Sequence, residues 1–254
     1  HKIIIDPHNI LADNWTTNYP VCNWAGVSCA AKHTRVRALN LSNMNLTGTI
    51  PPQLGNLSFL VSLNLSHNNF HDHLPRELGQ LNRLELIDLS SNFLSGEIPS
   101  CFGRLDKVLH LILANNNLTG VIPPSIANMS NLENLDLRNN LVHGNIPYEM
   151  SKLMKLRTLR LAKSQLSGSI PAAIYNISAL RMISLPYNNL SGQIPTSIGE
   201  CKNLRQLMLD TNRFNGRIPT RIGNLTALTD LYLFANDLEG KAFSFHILFS
   251  PNKF

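Results

Sequence analysis

An asparagine recurs every 24 residues through most of this chain, and it sets the register for the residues around it. Nine register positions follow one another without insertion or deletion: Met44, Asn68, Asn92, Asn116, Asn140, Ser164, Asn188, Asn212 and Asn236. The surrounding pattern is LxxLxLxxNxLxGxIP, with apolar residues eleven, eight, five and three positions before the asparagine. A period of this length indicates one small structural unit stacked many times.

The short LxL step has the two-residue period of a strand whose alternate side chains face inward. One repeat cannot bury its own leucines, so neighbouring repeats must stack with their strands side by side in a long parallel sheet. The pattern therefore predicts an α/β leucine-rich-repeat solenoid. Its parallel β-sheet should line one face, and the segments of the other face should be short 3-10 or irregular turns.

The turn after each strand accounts for the polar and small residues of the repeat. Asparagine tolerates left-handed backbone angles, and its amide can bond backbone groups that a turn leaves unpaired. Ser164 is expected to do part of this job, and Met44 none of it. Glycines four residues later indicate a tight bend, and the prolines three residues further on indicate a strand start or an edge.

The pattern divides the chain into residues 1–35, 36–240 and 241–254. The first segment contains Cys22 and Cys29, which we predict to form a disulfide in a cap over the first repeat. The last segment is an irregular apolar tail, which we expect to be a makeshift C-terminal cap. Cys101 and Cys201 are four repeats apart, roughly 19 Å at ~4.8 Å per strand, and should not pair.

Sequons of the form Asn-x-Ser/Thr are frequent, as expected for a secreted, glycosylated protein. The N-glycosylation candidates are Asn14, Asn40, Asn45, Asn56, Asn64, Asn117, Asn128, Asn176, Asn189 and Asn224. Asn40 and Asn64 fall within strands and point outward, so sugars there would shield the sheet face of the first two repeats. We predict an extracellular location.

Composition and motifs argue against several function classes. The 22 Lys and Arg against 16 Asp and Glu permit nucleic-acid binding without indicating it. The apolar run at 243–249 is far shorter than the roughly 20 residues of a membrane span. We predict no enzyme activity and no cofactor, because the chain contains neither a plausible catalytic triad nor a phosphate loop. His67, His71 and His73 lie in one loop without the partners a metal site needs, so we predict no metal site.

The repeat ending in LxGxIP, preceded by Asn-Trp and CNWAGVSC, resembles the extracellular domains of plant leucine-rich-repeat receptor-like kinases and receptor-like proteins over residues 3–240. The resemblance implies a second short strand per repeat and a right-handed superhelix with the main sheet on its concave face. It also implies recognition of a protein or peptide ligand, including a microbial one, in immunity or development, and docking of a co-receptor. These receptors usually have about twenty repeats or more, a second cysteine pair, a membrane span and a kinase, which this sequence does not show. Polygalacturonase-inhibiting proteins share the repeat, so the alternative is a secreted inhibitor of microbial wall-degrading enzymes.

The outward columns of the concave sheet are acidic in repeats three to five, at Glu85, Asp88, Glu133 and Asp136, and basic and aromatic further on. Arginine and aromatic residues are favoured at interface hot spots. We therefore predict a partner-binding surface formed by Arg157, Arg160, Lys163, Arg181, Tyr187, Arg205, Met208, Asp210, Tyr232 and Phe234. Arg160 and Arg181 are the predicted anchors for an acidic partner. The alternative is that these are ordinary solvated charges.

Overall fold

The computed structural model describes residues 4–7, 11, 15–16, 18–31, 34–240 and 246–248. Below, a repeat is the 24-residue stretch that ends at a register residue, so that repeat two is 45–68 and repeat nine is 213–236. Repeats two to nine each begin with a strand of the second sheet, continue through a 3-10 helix, and end with a three-residue concave strand and the turn that carries the register residue.

The main sheet runs the length of the solenoid. Its strands are β2 Val27–Cys29, β3 Val36–Asn40, β5 Ser62–Asn64, β7 Leu86–Asp88, β9 His110–Ile112, β11 Asn134–Asp136, β13 Thr158–Arg160, β15 Met182–Ser184, β17 Gln206–Met208, β19 Asp230–Tyr232 and β21 His246–Leu248. β3 to β19 are parallel and in phase, so that Leu63 pairs with Ile87 and Leu135 with Leu159. β2 and β21 pair antiparallel with β3 and β19. The predicted parallel sheet is confirmed.

A second layer of strands lies beyond the turn. Five belong to one sheet: β1 Ile4–Ile5, β4 Thr47–Thr49, β6 Asn69–His73, β8 Phe93–Glu97 and β10 Asn117–Thr119. Five belong to another: β12 His143–Asn145, β14 Gln165–Gly168, β16 Asn189–Gln193, β18 Arg213–Arg217 and β20 Asp237–Glu239. A single bridge between Val121 and His143 joins the two sheets.

Short 3-10 helices form the return segment of each repeat. They span Val21–Asn23, Pro52–Asn56, Arg76–Gln80, Ser100–Arg104, Pro124–Asn128, Tyr148–Lys152, Ala172–Asn176, Thr196–Glu200 and Thr220–Asn224. A proline such as Pro75 or Pro219 precedes each of the last eight, with extended backbone angles. The prediction that these prolines begin strands or lie at edges is wrong. Their fixed φ and missing N–H suit the start of a helix equally well.

The core is continuous along the solenoid and consists of apolar side chains from equivalent positions of successive repeats. Leu60 and Leu63 of repeat two are fully buried, as are their counterparts Leu156 and Leu159 of repeat six. Leu57, near the N-terminal end of the stack, is only half-buried. Burial of such side chains stabilises each repeat only through its neighbours, which is why the cap matters.

The register asparagines form a buried ladder that joins successive repeats. Asn92 donates its Nδ2 to the carbonyls of Leu65, Leu89 and Ser90 at 3.0, 3.1 and 3.1 Å, and its Oδ1 accepts the Phe70 amide at 2.9 Å. Most leucine carbonyls of this column accept from two asparagines, as Leu65 does from Asn68 and Asn92. The amide therefore satisfies backbone groups that would otherwise be buried and unpaired.

Two expectations about this turn are corrected. Ser164 does not share in the ladder, because its Oγ is buried and has no hydrogen-bond partner. The left-handed residue is not the asparagine but the residue just before it, for example His67 at φ 55° and Asn139 at φ 51°. The asparagine contributes side-chain hydrogen bonds to the turn, whereas the residue before it adopts the left-handed backbone conformation.

The N-terminal cap contains the predicted disulfide. Cys22 and Cys29 are bonded, with their Cα atoms 5.5 Å apart. Trp15 and Trp24 stack at 5.1 Å between ring centroids, and the Trp15 indole N–H donates to the Ala25 carbonyl at 3.1 Å. The antiparallel strands β1 and β2 pair with β4 and β3, the first parallel strands of the second and main sheets, and cover their outer edges.

Cys201 and Tyr175 form an irregular packing pair between repeats seven and eight. Tyr175 occupies a column that holds Gly, Ala or Ser in the other repeats from two to nine, yet it is fully buried. Cys201 takes a Leu, Ile or Met column, and its thiol donates to the Tyr175 carbonyl at 2.9 Å. The small thiol leaves room for the large ring. Burial raises the pKa of the Cys201 thiol to about 12 and, together with Cys201, raises the pKa of Tyr175. Cys101 and Cys201 are both free, as predicted.

Candidate concave binding face

The predicted partner-binding residues lie on β13, β17 and β19, at the residues just before β13, β15 and β17, and on the turns that follow the four strands. Arg157, Arg181 and Arg205 precede these strands in successive repeats and are exposed. Their main chains are in direct contact, since the Arg181 amide donates to the Arg157 carbonyl and the Arg205 amide to the Arg181 carbonyl, both at 2.8 Å. The three side chains therefore leave adjacent rungs of the sheet, which are ~4.8 Å apart.

Two of the predicted arginines are already paired with carboxylates of repeat five. The Arg157 Nε lies 3.4 Å from a Glu133 carboxylate oxygen. Asp136, buried at 4% exposure, accepts from Arg138 at 2.9 Å and lies 3.8 Å from the Arg160 guanidinium. An arginine that is already paired with a carboxylate must give up that ion pair before it can bind a carboxylate of a ligand. Arg157 and Arg160 are therefore poor anchors for an acidic ligand.

Arg181 and Arg205 differ from these two. Within the part of the chain that the structure describes, neither guanidinium takes part in an ion pair. Both side chains are exposed at the start of β15 and β17. Two adjacent, uncompensated guanidinium groups present the planar donor geometry that carboxylates accept.

Aromatic side chains lie along the other edge of the same face. Tyr187 and Phe234 are 52% and 40% exposed. Phe234 packs edge-on against Tyr232 at 6.5 Å, and the Lys163 ammonium lies 5.8 Å from the Tyr187 ring centroid. Lys163 and Tyr187 occupy the left-handed turn position, at φ 52° and 57°. Backbone strain of this kind is costly for bulky residues, and the sequence pattern alone did not reveal it.

Asp210 does not contribute an exposed charge. Its exposure is 6%, and desolvation by this burial raises the pKa of its carboxyl, against opposing hydrogen bonds to its own backbone and to the Thr211 side chain. Small residues of the same column, such as Ser90 and Ala162, are buried too. The prediction that this column projects into solvent is correct for Arg138 and Phe234 and wrong for Asp210. Met208 is half-buried beside it.

The sequons leave one long surface free. Asn56, Asn128, Asn176 and Asn224 are exposed at the ends of 3-10 helices, and further exposed sequon residues, Asn45, Asn117 and Asn189, lie at or next to the start of second-sheet strands. On the concave face, sequons occur only at Asn40, which is exposed, and Asn64, which is half-buried. Asn14 lies outside the described residues. The concave face of repeats three to nine therefore carries no sequon.

Features of other function classes are not seen. Across the described ranges, no three His, Cys, Asp or Glu side chains come together as the ligands of a metal ion would. Every helix within those ranges is too short or too polar to cross a bilayer.

Comparison with known proteins agrees with the repeat geometry. A family model described as a leucine-rich repeat region matches residues 25–165, and a second leucine-rich-repeat model matches residues 179–201. The chain belongs to the leucine-rich-repeat family. Two similar curated relatives from Arabidopsis thaliana are a probable LRR receptor-like serine/threonine-protein kinase, 42% identical over 59 residues, and the receptor-like kinase EFR, 51% identical over 47 residues. These segments cover 23% and 18% of this chain but only 6% and 5% of those proteins.

Solved structures of plant receptor ectodomains are similar over most of the chain. The ectodomain of the Arabidopsis thaliana receptor kinase GASSHO1/SCHENGEN3, solved in complex with CASPARIAN STRIP INTEGRITY FACTOR 2, has a TM-score of 0.87 and 38% identity over 89% of this chain and 27% of that chain. The plant peptide hormone receptor RGFR1 in complex with RGF2 has a TM-score of 0.75 and 41% identity, over 76% and 31%. A plant ice-binding protein has a TM-score of 0.74 and 27% identity, over 91% and 82%. The predicted resemblance to plant leucine-rich-repeat receptors is confirmed. The matches to kinases concern the repeats, so they indicate no catalytic region in this chain.

Proposed function

We propose that the concave face of repeats six to nine binds an extracellular peptide or protein ligand through acidic groups of that ligand. The observation that carries this proposal is the pair of uncompensated guanidinium groups of Arg181 and Arg205, on a face without sequons. The exposed rings of Tyr187 and Phe234 add apolar area along the other edge of the same face. Such a combination of arginine and aromatic side chains is typical of interface hot spots.

The similar structures support recognition of a ligand. GASSHO1/SCHENGEN3 and RGFR1 were each solved with a ligand, and the receptor kinase HAESA, 27% identical to this chain, was solved with a peptide hormone and the co-receptor SERK1. We infer that this chain acts in recognition at the cell exterior, as part of a receptor of immunity or development. Its disulfide and its sequons agree with an oxidising, glycosylating compartment.

The anchors differ from those the sequence predicts. Arg160 was predicted together with Arg181, but it lies beside the buried Asp136, which already compensates its charge. Arg205 takes its place, because it stands on the next strand beside Arg181. A ligand carboxylate would therefore contact Arg181 and Arg205, with the apolar residues of the ligand toward Tyr187 and Phe234.

The test uses a synthetic peptide library, from which binders of the wild-type chain are selected and their Kd values measured. The Arg181→Gln/Arg205→Gln variant should bind the selected acidic peptides at least about 10-fold more weakly, since hot-spot truncation costs about 2 kcal/mol or more. The matched control is Arg213→Gln/Arg217→Gln, which removes the same charge from β18 and should change Kd less than 2-fold. Equal affinity in the two variants would remove this face as the binding site. Capture and inhibition of a microbial wall-degrading enzyme, abolished by the same variant, would instead support the inhibitor alternative.

A further inference from the structure

Positive charge is concentrated in the segments that lead into the concave strands, along one edge of the solenoid. In repeats two to nine, the segments from the last residue of each 3-10 helix to the next concave strand occupy residues 56–61, 80–85, 104–109, 128–133, 152–157, 176–181, 200–205 and 224–229. The corresponding residues of repeat one, 34–37, include the start of β3. Together these segments contain eleven of the 22 Lys and Arg of the chain but only four of its 16 Asp and Glu. Seven of the eleven lie beside the concave face, and four belong to it: Arg37, Arg157, Arg181 and Arg205. Half of the cations thus lie on about a fifth of the residues, and the remainder of the chain is close to neutral.

Six of these cations form what we call the basic edge: Arg35, Arg83, Arg104, Lys107, Lys152 and Lys155. All six are exposed, and within the described residues none of them takes part in an ion pair. Unpaired charges of one sign that line one edge reinforce one another's potential and attract an extended polymer of the opposite sign.

Contacts between neighbouring repeats hold this edge together. The Arg35 and Arg83 guanidinium carbons lie 4.0 and 4.3 Å from the centroid of the Phe59 ring, which stands between them in the column. Further along, the Lys155 ammonium donates to the Asn131 side chain at 2.6 Å, and the Asn131 amide donates to the Asp106 carbonyl at 2.7 Å. Stacking on an aromatic ring fixes a guanidinium while its N–H groups remain directed outward.

We propose that the basic edge binds a linear acidic polysaccharide with a carboxylate on each sugar, that is, a polyuronate. Adjacent repeats are spaced by ~4.8 Å, which is about the length of one sugar. The cations of repeats three and four can therefore meet carboxylates of neighbouring sugars, and those of repeats one and six can meet carboxylates about two sugars further along on either side. The disulfide and the sequons indicate an extracellular compartment, in which an acidic polysaccharide is the appropriate polyanion and a nucleic acid is not. This site is separate from the proposed ligand face and does not depend on it.

Sequons restrict the part of the edge that remains open. Asn56, Asn128, Asn176 and Asn224 lie in the same segments, in repeats two, five, seven and nine. Repeats three and four carry no sequon there, and they contribute Arg83, Arg104 and Lys107. We therefore assign the principal contacts to these three residues, between sugars attached at Asn56 and Asn128.

The experiment compares two triple variants of the full chain. Arg83→Gln/Arg104→Gln/Lys107→Gln removes three charges from the basic edge, and Arg76→Gln/Arg213→Gln/Arg217→Gln removes three exposed charges elsewhere. Binding to immobilised polygalacturonate is measured at several NaCl concentrations, with circular dichroism to verify that both variants are folded. The edge variant should bind at least 10-fold more weakly and the control less than 2-fold. The slope of log K against log salt should fall by roughly two in the edge variant, as expected for three lost ionic contacts.

Further arms of the experiment identify the source of the charge. A fully methyl-esterified polymer, which keeps the sugar backbone without its charge, should not bind the wild-type chain. Equal weakening in both triple variants would overturn the proposal, because net charge alone would then explain binding. Tighter binding of polyadenylate RNA than of polygalacturonate at the same salt would overturn the choice of polysaccharide. Loss of polygalacturonate binding in the glycosylated protein would show that the edge is not open.

Discussion

The junction between repeats five and six and the junction between repeats seven and eight both depart from the repeat pattern, but in different terms. At the first, Ser164 replaces the ladder asparagine, and its buried Oγ has no partner. At the second, Asn212 is in place and bonds the Leu185 carbonyl at 2.9 Å and the Leu190 amide at 3.1 Å. The main irregularity there is one of volume, with Tyr175 large and Cys201 small, although the buried Tyr175 hydroxyl has no hydrogen-bond partner either.

The difference shows what a stacked repeat can tolerate. Volume lost in one repeat can be filled by a side chain of the next, because core packing depends on the sum of neighbouring volumes. A backbone hydrogen bond has no such substitute, because the positions of donor and acceptor are fixed by the turn. Interactions of another kind occur at the first junction. Of the ion pairs within the described residues, the two that cross between strands of the concave sheet, Arg157–Glu133 and Arg160–Asp136, both cross this junction.

The largest expected effect is the loss of a ladder asparagine at the regular junction. Asn212→Ala should lower the free energy of unfolding by about 3 kcal/mol, because buried carbonyls and an amide lose their partner. Ser164→Ala is the matched change at the other junction and should stay within about 0.5 kcal/mol, since the Oγ makes no bond there. Urea unfolding of the two variants measures the difference. Similar losses in both would mean that the ladder does not distinguish the junctions.

Overpacking at the second junction should have the next largest effect. Cys201→Leu restores the usual residue of the column but leaves no room for the Tyr175 ring, so we expect a loss of about 2 kcal/mol. Addition of Tyr175→Ala should recover part of this loss, whereas Met129→Leu in the same column should cost about 1 kcal/mol at most. If Cys201→Leu is neutral in thermal unfolding, the two volumes are not coupled.

Restoration of the ladder at the first junction should produce a smaller gain. Ser164→Asn places an amide within reach of the Leu137 carbonyl and the Val142 amide, the groups that correspond to the partners of the other ladder asparagines. We expect an increase of about 1 kcal/mol in the free energy of unfolding. Hydrogen exchange of the Val142 amide should slow, and it should not change in Ser164→Ala. Unaltered exchange in Ser164→Asn would contradict the role assigned to the missing amide.

The ion pairs at the same junction should have the smallest effect. Arg157→Gln/Arg160→Gln should cost about 0.5 kcal/mol at low salt, since both arginines are partly exposed and solvent screens the pairs. The cost should shrink in 1 M NaCl, where the Debye length is about 3 Å. Arg181→Gln/Arg205→Gln is the control and should not alter stability, because its guanidinium groups are unpaired. A loss in the first variant that is independent of salt would argue against electrostatic compensation.

The 24-residue period predicts much of the fold, but it predicts less about the binding face. Burial of the leucine columns and outward projection of the strand positions require only the alternation of a strand. The left-handed residue was assigned one position too late, because both positions of the turn accept asparagine. The prediction that Asp210 is exposed is wrong because its burial depends on side chains of adjacent repeats. The 24-residue period predicts which residues are neighbours but not how closely their side chains pack.

The sequence by itself determined the repeat, the core columns, the disulfide of the cap and the set of residues that face the concave surface. Each of these depends on local backbone geometry and on the burial of apolar side chains. Both can be predicted from the order of polar and apolar residues along the chain. Only the tertiary structure decided that Arg157 and Arg160 are compensated while Arg181 and Arg205 are not, and that Ser164 leaves a gap. Such pairings depend on distances of a few ångströms between side chains about 24 residues apart, which are set by how the repeats stack.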